Sequence, residues 1–537
     1  MGNWFRSGSP WIWLTGGAVS LSLVAVLGLL LLIGWKGLSY FWPAPVYQFD
    51  IKQGANTSVV IGEIYGRKVV PVEQLADAGI DTSGFGEQNV LRYMVKTGNR
   101  EMAGSDFVTF LEPYIENQSL AQGVMVIERL KNGRFYGFPV HLTDNGKALP
   151  LEALPDSLAA AEAIRDQIRV IENTELASIN RQIEQLRRES LHTPDDTVIN
   201  TQKATLEAQF ELVAEQLQSL HRQLDTDILT VREMSGVEVE ISMGQVLDLW
   251  HPNELTFSGK FGHWLKQLGK FVSEDPREAN TEGGVFPAIF GTVFMVLLMS
   301  VIVTPLGVMA AIYLHEYAGK NIVTKLIRVA VINLAGVPSI VYGVFGLGFF
   351  VYMVGGTIDD IFFSDQLPAP TFGTPGILWS ALTLAILTLP VVIVSTEEGL
   401  ARIPSSVRHG SLALGATQAE TLWRIVLPMA SPAIMTGLIL AVARAAGEVA
   451  PLMLVGVVKM APSLPIDSHF PYLHLDRKFM HLGYHIYDVG FQSPNVEAAR
   501  PLVYATSFLL VTVIVGLNLT AIGIRNHLRE KFRSLEQ

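Results

Sequence analysis

The chain has 537 residues, of which 49% are hydrophobic and only 17% are charged. This composition is too apolar for an ordinary soluble enzyme and too charged for a protein that lies in a membrane throughout, so it predicts a mixed architecture. The formal net charge is −11, and a negative surface repels nucleic acid, which disfavours that class of partner. No cysteine is present, so no disulfide bond stabilises any part of the chain.

Six apolar segments are long enough to cross a bilayer, which takes about 20 residues in a helix. They cover about residues 11–33, 285–314, 326–354, 376–395, 432–457 and 502–524. No small-residue cleavage site follows the first segment, which is therefore predicted to be an uncleaved anchor rather than a signal peptide. Arg402, Arg408 and Arg424 lie in one short loop and further basic residues follow the last segment, whereas residues 355–375 contain no Lys or Arg. Because Lys and Arg are held on the cytoplasmic side, both termini are predicted to be cytoplasmic.

Residues 34–282 form a long insertion between the first two apolar segments, and the same rule places it outside the cytoplasm, in the periplasm. The insertion contains 23 Lys and Arg against 36 Asp and Glu, a net charge of −13. Such a surface gives an anionic solute no electrostatic steering, so docking to a protein is the favoured role.

Two patterns alternate within the insertion. Residues of about 46–150 and 229–257 are β-rich, with Asn-Gly pairs that are typical of hairpin turns. Between them, residues of about 157–226 carry apolar side chains at steps of four and three, the a/d repeat of a coiled coil. A breaker at 192–196 predicts an antiparallel helical hairpin. This hairpin either packs only on its neighbours or serves as a docking arm for a partner.

The loop between the fourth and fifth segments has a distinctive spacing. Gly415, which Ala416 and Thr417 follow, is separated by nine residues from Ile425, and Leu427 and Pro428 come directly after. This spacing resembles the ATPase-docking loop of ABC importer permeases, although His409-Gly410-Ser411 stands where that family usually has Glu-Ala-Ala. Two short helices joined at a glycine would present a rigid knob to a groove on a partner subunit. The alternative is an ordinary interhelical loop.

Three further stretches narrow the family: Gly283–Ile289, Gly336–Gly343 and Ala443–Pro451. Together with the loop they resemble the A-type (PstA-like) permease subunit of the Pst phosphate importer. The resemblance covers residues 283–537 well and 1–33 weakly, and it does not include the insertion. It implies a mainly α membrane protein with a six-helix type I ABC permease core, to which the patterns described above add an α+β insertion at 34–282.

The resemblance also implies a function. The chain would be half of the translocation pathway of a phosphate importer in the bacterial inner membrane, working by alternating access, and not an enzyme. Its partners would be a homologous C-type permease, a dimer of ATPase subunits, a periplasmic phosphate-binding protein and the lipid bilayer. No Gly-x-x-x-x-Gly-Lys-Ser/Thr phosphate loop occurs in the chain, so ATP and Mg are expected at the ATPase, and this chain is expected to hold no cofactor and no metal.

Arg444 and Glu448 lie one helical turn apart in the fifth segment. A charged side chain inside a membrane helix costs at least about 2.5 kcal/mol and usually marks a solute path. The pair forms either an i,i+4 salt bridge that locks the helix or a site where the Arg444 fork binds an oxyanion and Glu448 orients it. Such a fork would suit sulfate or molybdate as well as phosphate. A membrane-anchored sensor or scaffold built around the coiled coil is the rival from another class.

Four histidines cluster in an outer loop, and two of them, His481 and His485, have the i,i+4 spacing that can hold a metal. The loop contains no cysteine and no second tight pair. It is therefore predicted to be a solvated loop rather than a metal site.

Overall fold

The computed structural model describes residues 9–53, 56–80, 82, 85, 88–192, 197–319, 321–467, 470–493 and 496–532. These residues divide into two compact units. One consists of the described residues up to Tyr40 and from Gly269 onwards, and the other of Phe41–Leu268. The first unit contains the long apolar helices and the second contains most of the acidic insertion.

Six helices among the described residues are long and apolar enough to cross a membrane, and this confirms the predicted number. We name them spans 1 to 6 in chain order: Trp11–Ser39, Phe286–Tyr317, Ser339–Phe362, Ile377–Arg402, Gln418–Gly447 and Ala499–Glu530. Shorter helices in the same unit are Ile322–Leu334, Ser405–Ala413, Leu452–Val455 and Leu482–Tyr487. Spans 2, 4 and 5 bury apolar side chains in a common core, among them Met295, Met299, Leu384, Leu387 and Ala441.

Span 3 differs from its prediction. The apolar run at 326–354 predicted one helix, but the helix Ile322–Leu334 ends first and the span begins at Ser339. Pro338 explains the interruption, because its ring would clash with the carbonyl of Leu334 four residues earlier and it has no N–H to donate. The freed carbonyl of Leu334 instead accepts a hydrogen bond of 2.6 Å from the hydroxyl of Tyr342.

Span 5 also differs, and the difference changes the setting of the predicted solute site. The helix begins at Gln418 and ends at Gly447, whereas the prediction was 432–457. Pro451 cannot bond to the carbonyl of Gly447, so the helix cannot continue past it. A Cβ added to Gly343 of span 3 would lie 2.7 Å from the Cα of Pro451. The interruption after span 5 therefore lies against the first turn of span 3.

The described residues of the insertion form two large antiparallel sheets, and a short pair of strands, Pro276–Arg277 and Glu282–Gly283, follows them. The strands of the two large sheets are β1 (Val46–Gln53), β2 (Asn56–Pro71), β3 (Asn89–Lys96), β4 (Phe107–Leu111), β5 (Ile115–Leu120), β6 (Met125–Arg129), β7 (Arg134–Asp144), β8 (Lys147–Leu149), β9 (Asp227–Arg232), β10 (Glu238–Ser242) and β11 (Val246–Trp250). The first sheet has the order β4-β3-β2-β1-β5, and the second has the order β10-β9-β7-β6-β11 with β8 paired to β7. The helix Phe257–Ser273 follows the last of these strands.

A helical hairpin interrupts the second sheet between β8 and β9. It consists of Leu154–Ile171, the π-helical turn Glu172–Leu176, Ala177–His192 and Thr197–Leu224, while residues 193–196 of the predicted breaker lie outside the described residues. Near its base, Ile168, Ile171, Leu217 and Leu224 are buried together with the apolar side chains of the sheet. The hairpin thus packs on the sheet at this end, and its use as a docking arm stays a prediction.

The side chain of Asn99 makes two buried hydrogen bonds that are expected to stabilise the insertion. It is buried with φ of +53°, its Nδ2 donates to the carbonyl of Tyr136, and its Oδ1 accepts from the Tyr136 N–H. We expect Asn99→Ala to lower the free energy of unfolding of the insertion by about 3 kcal/mol, since it leaves both groups of Tyr136 unpaired. Limited proteolysis of the full-length protein at increasing temperature measures this. Asn117→Ala, which removes an exposed hydrogen bond, is the control, and equal protection in both variants would contradict the expectation.

Candidate functional site

The loop between spans 4 and 5 folds as two short helical arms joined by a turn. The first arm is Ser405–Ala413, and the second begins at Gln418. Gly415 sits in the turn with φ of +88°, a conformation that strains any residue with a Cβ. Thr417 then caps the second arm, its hydroxyl accepting from the N–H of Glu420. We call residues 403–428 the coupling loop.

The two arms of the coupling loop are fixed to each other. The hydroxyls of Ser411 and Thr421 are buried and 2.8 Å apart. His409 and Gly410, the neighbours of Ser411, are exposed. Three other predicted residues are half-buried along the second arm: Ile425, Leu427 and Pro428. The structure therefore brings the predicted loop residues together in one rigid knob.

The tip of this knob presents apolar side chains that the motif did not indicate. Leu414 is 91% exposed, Trp423 is 67% exposed, and Leu412, two residues before Leu414, is also exposed. Large apolar side chains in a polar, basic loop are the signal that could have identified them, because such residues fit a protein partner better than water.

Arg408 fastens the first arm to the ends of spans 2 and 4. Its Nε and Nη2 donate to Oε1 of Glu316 at 3.2 and 2.9 Å, while Nη1 and Nη2 donate to the carbonyls of Ile403 and Leu400 at 2.8 and 2.9 Å. Both charged side chains are largely buried. The sequence indicated only that Arg408 lies on the cytoplasmic side. Its partner could not be predicted, because Glu316 is 92 residues away in the chain.

Arg328 makes a second connection of the same kind. Its Nη2 donates to the carbonyl of Leu314 at 2.8 Å and lies 3.3 Å from the carboxylate of Glu397. Leu314 belongs to span 2 and Glu397 to span 4. The end of span 2 is therefore joined to span 4 both directly through this arginine and through Arg408.

Arg444 and Glu448 lie together, but the helix that was predicted to hold both ends between them. Arg444 is in the last turn of span 5 and Glu448 is the first residue beyond it, with extended backbone. Nε of Arg444 is 3.7 Å from Oε1 of Glu448, which is an ion pair without a hydrogen bond. Tyr342 of span 3 is within electrostatic range of Arg444. Among the described residues no hydrogen bond holds the Arg444 guanidinium, and about a third of its side chain is exposed.

The last part of the histidine loop is not solvated, which corrects the prediction for His481 and His485. His481, His485 and Asp488 are buried, and Asp488 accepts from Nδ2 of Asn280 and pairs with Nζ of Lys459, both at 3.2 Å. Burial lowers the pKa of both histidines to about 4, so they are neutral near pH 7.

This burial depends on contacts with a distant part of the chain. The N–H of Leu482, next to His481, donates to the hydroxyl of Thr292 in span 2. In the described part of the chain no three His, Cys, Asp or Glu side chains are placed to hold a metal. His469, another member of the predicted cluster, lies outside the described residues.

Comparison with known proteins agrees with this geometry. The family model described as "Binding-protein-dependent transport system inner membrane component" matches residues 303–534, which include the coupling loop and Arg444. The phosphate transport system permease protein PstA 1 of Mycobacterium tuberculosis strain H37Rv is 33% identical over 265 residues, which cover 49% of this chain and 75% of that relative. The chain belongs to this family of inner-membrane transport components. As a member, it is a component of a transport system and not an enzyme.

Two further comparisons are with proteins that are themselves named as ABC transporters. The probable ABC transporter permease protein YqgH of Bacillus subtilis is 32% identical over 198 residues, covering 36% of this chain and 59% of that relative. The chain thus spans less than two thirds of this relative's length. A solved structure of the MetNI methionine ABC transporter matches 45% of this chain and 94% of that chain with 17% identity and a TM-score of 0.33.

Replacing Arg408, the buried arginine of the coupling loop, tests whether its contacts stabilise the loop. Arg408→Gln leaves Glu316 without its cation, and breaking a buried pair costs about 3 kcal/mol. We expect a lower unfolding temperature in detergent and faster hydrogen exchange across residues 403–421. The control is Arg402→Gln, because the pair of Arg402 with Glu398 is exposed and contributes less than about 1 kcal/mol. Similar losses in the two variants would show that the Arg408 contacts do not hold the loop.

Proposed function

We propose that this chain is a permease subunit of an ATP-driven ABC importer of inorganic phosphate and forms half of its translocation pathway. The observation that carries the proposal is the coupling loop, which combines the family spacing from Gly415 to Pro428 with a rigid knob that exposes Leu414 and Trp423. Relatives named as phosphate permeases support the choice of solute.

The energy for transport would come from a dimer of ATPase subunits that binds ATP and Mg, since the chain has no phosphate loop. A homologous C-type permease would form the other half of the pathway, and a periplasmic phosphate-binding protein would deliver the anion. The proposed location is the bacterial inner membrane, with both termini cytoplasmic and residues 34–282 in the periplasm. The basic residues of the coupling loop and those that follow the last apolar segment support this orientation.

Movement would pass from the ATPase to the solute site along span 5. This helix starts in the coupling loop at Gln418 and carries Arg444 in its last turn, so the two are about 40 Å apart at 1.5 Å per residue. The contacts of Arg408 with Glu316 and Leu400 would carry the same displacement to spans 2 and 4. Closure of the ATPase dimer would thus tilt three packed helices together and exchange inward for outward opening.

The solute site would form where span 5 ends against span 3. The guanidinium of Arg444 would donate to two phosphate oxygens. Phosphate near neutral pH retains a hydroxyl, which can donate to the carboxylate of Glu448, whereas fully deprotonated sulfate would meet repulsion there. This charge arrangement favours phosphate over other tetrahedral oxyanions.

The role of Arg444 can be measured by phosphate uptake. We expect Arg444→Ala to reduce uptake about a hundredfold, because truncating one partner of a desolvated charged contact costs about 3 kcal/mol, while the complex still assembles. Radiolabelled uptake in cells that lack other phosphate importers provides the measurement, and Arg500→Ala, an exposed arginine, provides the control. Normal uptake by the Arg444 variant would remove this residue from the solute path. Competition by sulfate or molybdate at equal concentration would instead identify a different oxyanion permease.

The coupling loop can be tested separately from the solute site. We expect Leu414→Asp to abolish co-purification of the ATPase and reduce uptake, since it places a charge at the centre of an apolar contact. Leu414 is exposed, so the fold of the subunit should be unaffected, and unchanged thermal unfolding would verify this. Leu212→Asp, an exposed leucine on the helical hairpin, is the matched control. If the ATPase still co-purifies with the Leu414 variant, the knob is not its docking site.

A further inference from the structure

The helix Phe257–Ser273 carries an exposed apolar stripe. Phe257, Phe261 and Leu265 recur at every fourth position and are 77%, 47% and 49% exposed. Residues at this spacing share one face of a helix. Gln267 and Phe271 lie on another face and are buried, so the helix is held by the protein on one side and presents apolar surface on the other.

Each end of this helix contacts a residue that is near a membrane span along the chain. At the first end, the ring of Phe257 lies 5.8 Å from that of Trp42, and Trp42 is only three residues past Ser39, where span 1 ends. Because three residues of chain reach about 11 Å at most, Trp42 lies within that distance of the end of span 1. At the second end, the N–H of Val285, next to the start of span 2, donates to the carbonyl of Phe271 at 2.8 Å. The helix therefore contacts, at its start, the stretch of chain that follows span 1 and, at its end, the stretch that leads into span 2.

The charge of the helix is opposite to that of the insertion around it. It contains three lysines, Lys260, Lys266 and Lys270, and no acidic residue, whereas residues 34–282 have a net charge of −13. Lys266 pairs with Asp248 at 2.9 Å and keeps about half of its side chain exposed. Lysines beside an apolar face are typical of helices that lie in a membrane surface, where anionic headgroups attract them. Trp264 and Trp42 add the aromatic side chains that favour the headgroup level.

We propose that the helix Phe257–Ser273 lies in the plane of the bilayer surface, with Phe257, Phe261 and Leu265 inserted at the boundary of headgroups and acyl chains. The occupant of the apolar stripe is phospholipid, and anionic headgroups strengthen the contact through the lysines. This inference depends on the spans crossing a bilayer and not on which solute they transport.

Because the chain has no cysteine, single spin labels can test the proposal in the full-length protein. Phe261→Cys places a label on the stripe, and Gly262→Cys places one on an exposed part of the same turn with no heavy atom within 4 Å of an added Cβ. Each labelled protein is reconstituted into vesicles of phosphatidylethanolamine, with and without phosphatidylglycerol. Collision rates of the label with oxygen, which enters lipid, and with a water-soluble nickel complex are then compared.

We expect the label at 261 to collide more with oxygen than with nickel, and the label at 262 to show the reverse. Phosphatidylglycerol should increase the oxygen preference at 261. Equal access of nickel to both labels would overturn the proposal. A label at 261 that is shielded from both reagents would also overturn it, because this result indicates a protein partner or a second copy on the stripe. Leu265→Cys repeats the test if the Phe261 variant does not fold.

Discussion

Helix ends in an apolar environment leave backbone carbonyls without partners, and the membrane core is organised by the side chains that satisfy them. The donors and their carbonyls are Tyr342 with Leu334, Arg328 with Leu314, and Arg408 with Leu400 and Ile403. The two arginines also meet carboxylates on spans 2 and 4. Satisfying a helix end therefore also sets the distance between two segments, and these segments are the ones that a transport cycle has to move together.

The same constraint explains why the interruptions and the charged residues lie where they do. Pro338 and Pro451 each stop a helix, and the first turn of span 3 packs against Pro451. Polar groups that would be costly in the middle of an unbroken helix are tolerated here, because irregular backbone in a membrane is stable where it is enclosed by protein or lines a cavity. Arg444 lies in the last turn of span 5, next to one of these interruptions.

The sequence was sufficient for features that depend on local pattern and insufficient for those that depend on packing. Apolar length predicted six spans, and the spacing after Gly415 predicted the knob, because both are read within a few turns. The ends of spans 3 and 5 were predicted wrongly because apolar runs continue past Pro338 and Pro451. The partner of Arg408 and the burial of His485 could not be predicted, since contacts with distant parts of the chain decide both.

The helical hairpin leaves its sheet after β8 and re-enters it at β9, and both of these strands pair with β7. Leu149 of β8 and Leu229 of β9 face the same residue of β7, Leu142. The sheet register therefore does not depend on how many residues lie between these two points. Whole helical turns can be gained or lost at the far end in the course of evolution, each pair lengthening or shortening the arm by about 5 Å, while the β-structure beneath it stays the same. Natural selection can therefore change the length of the hairpin without changing the sheet.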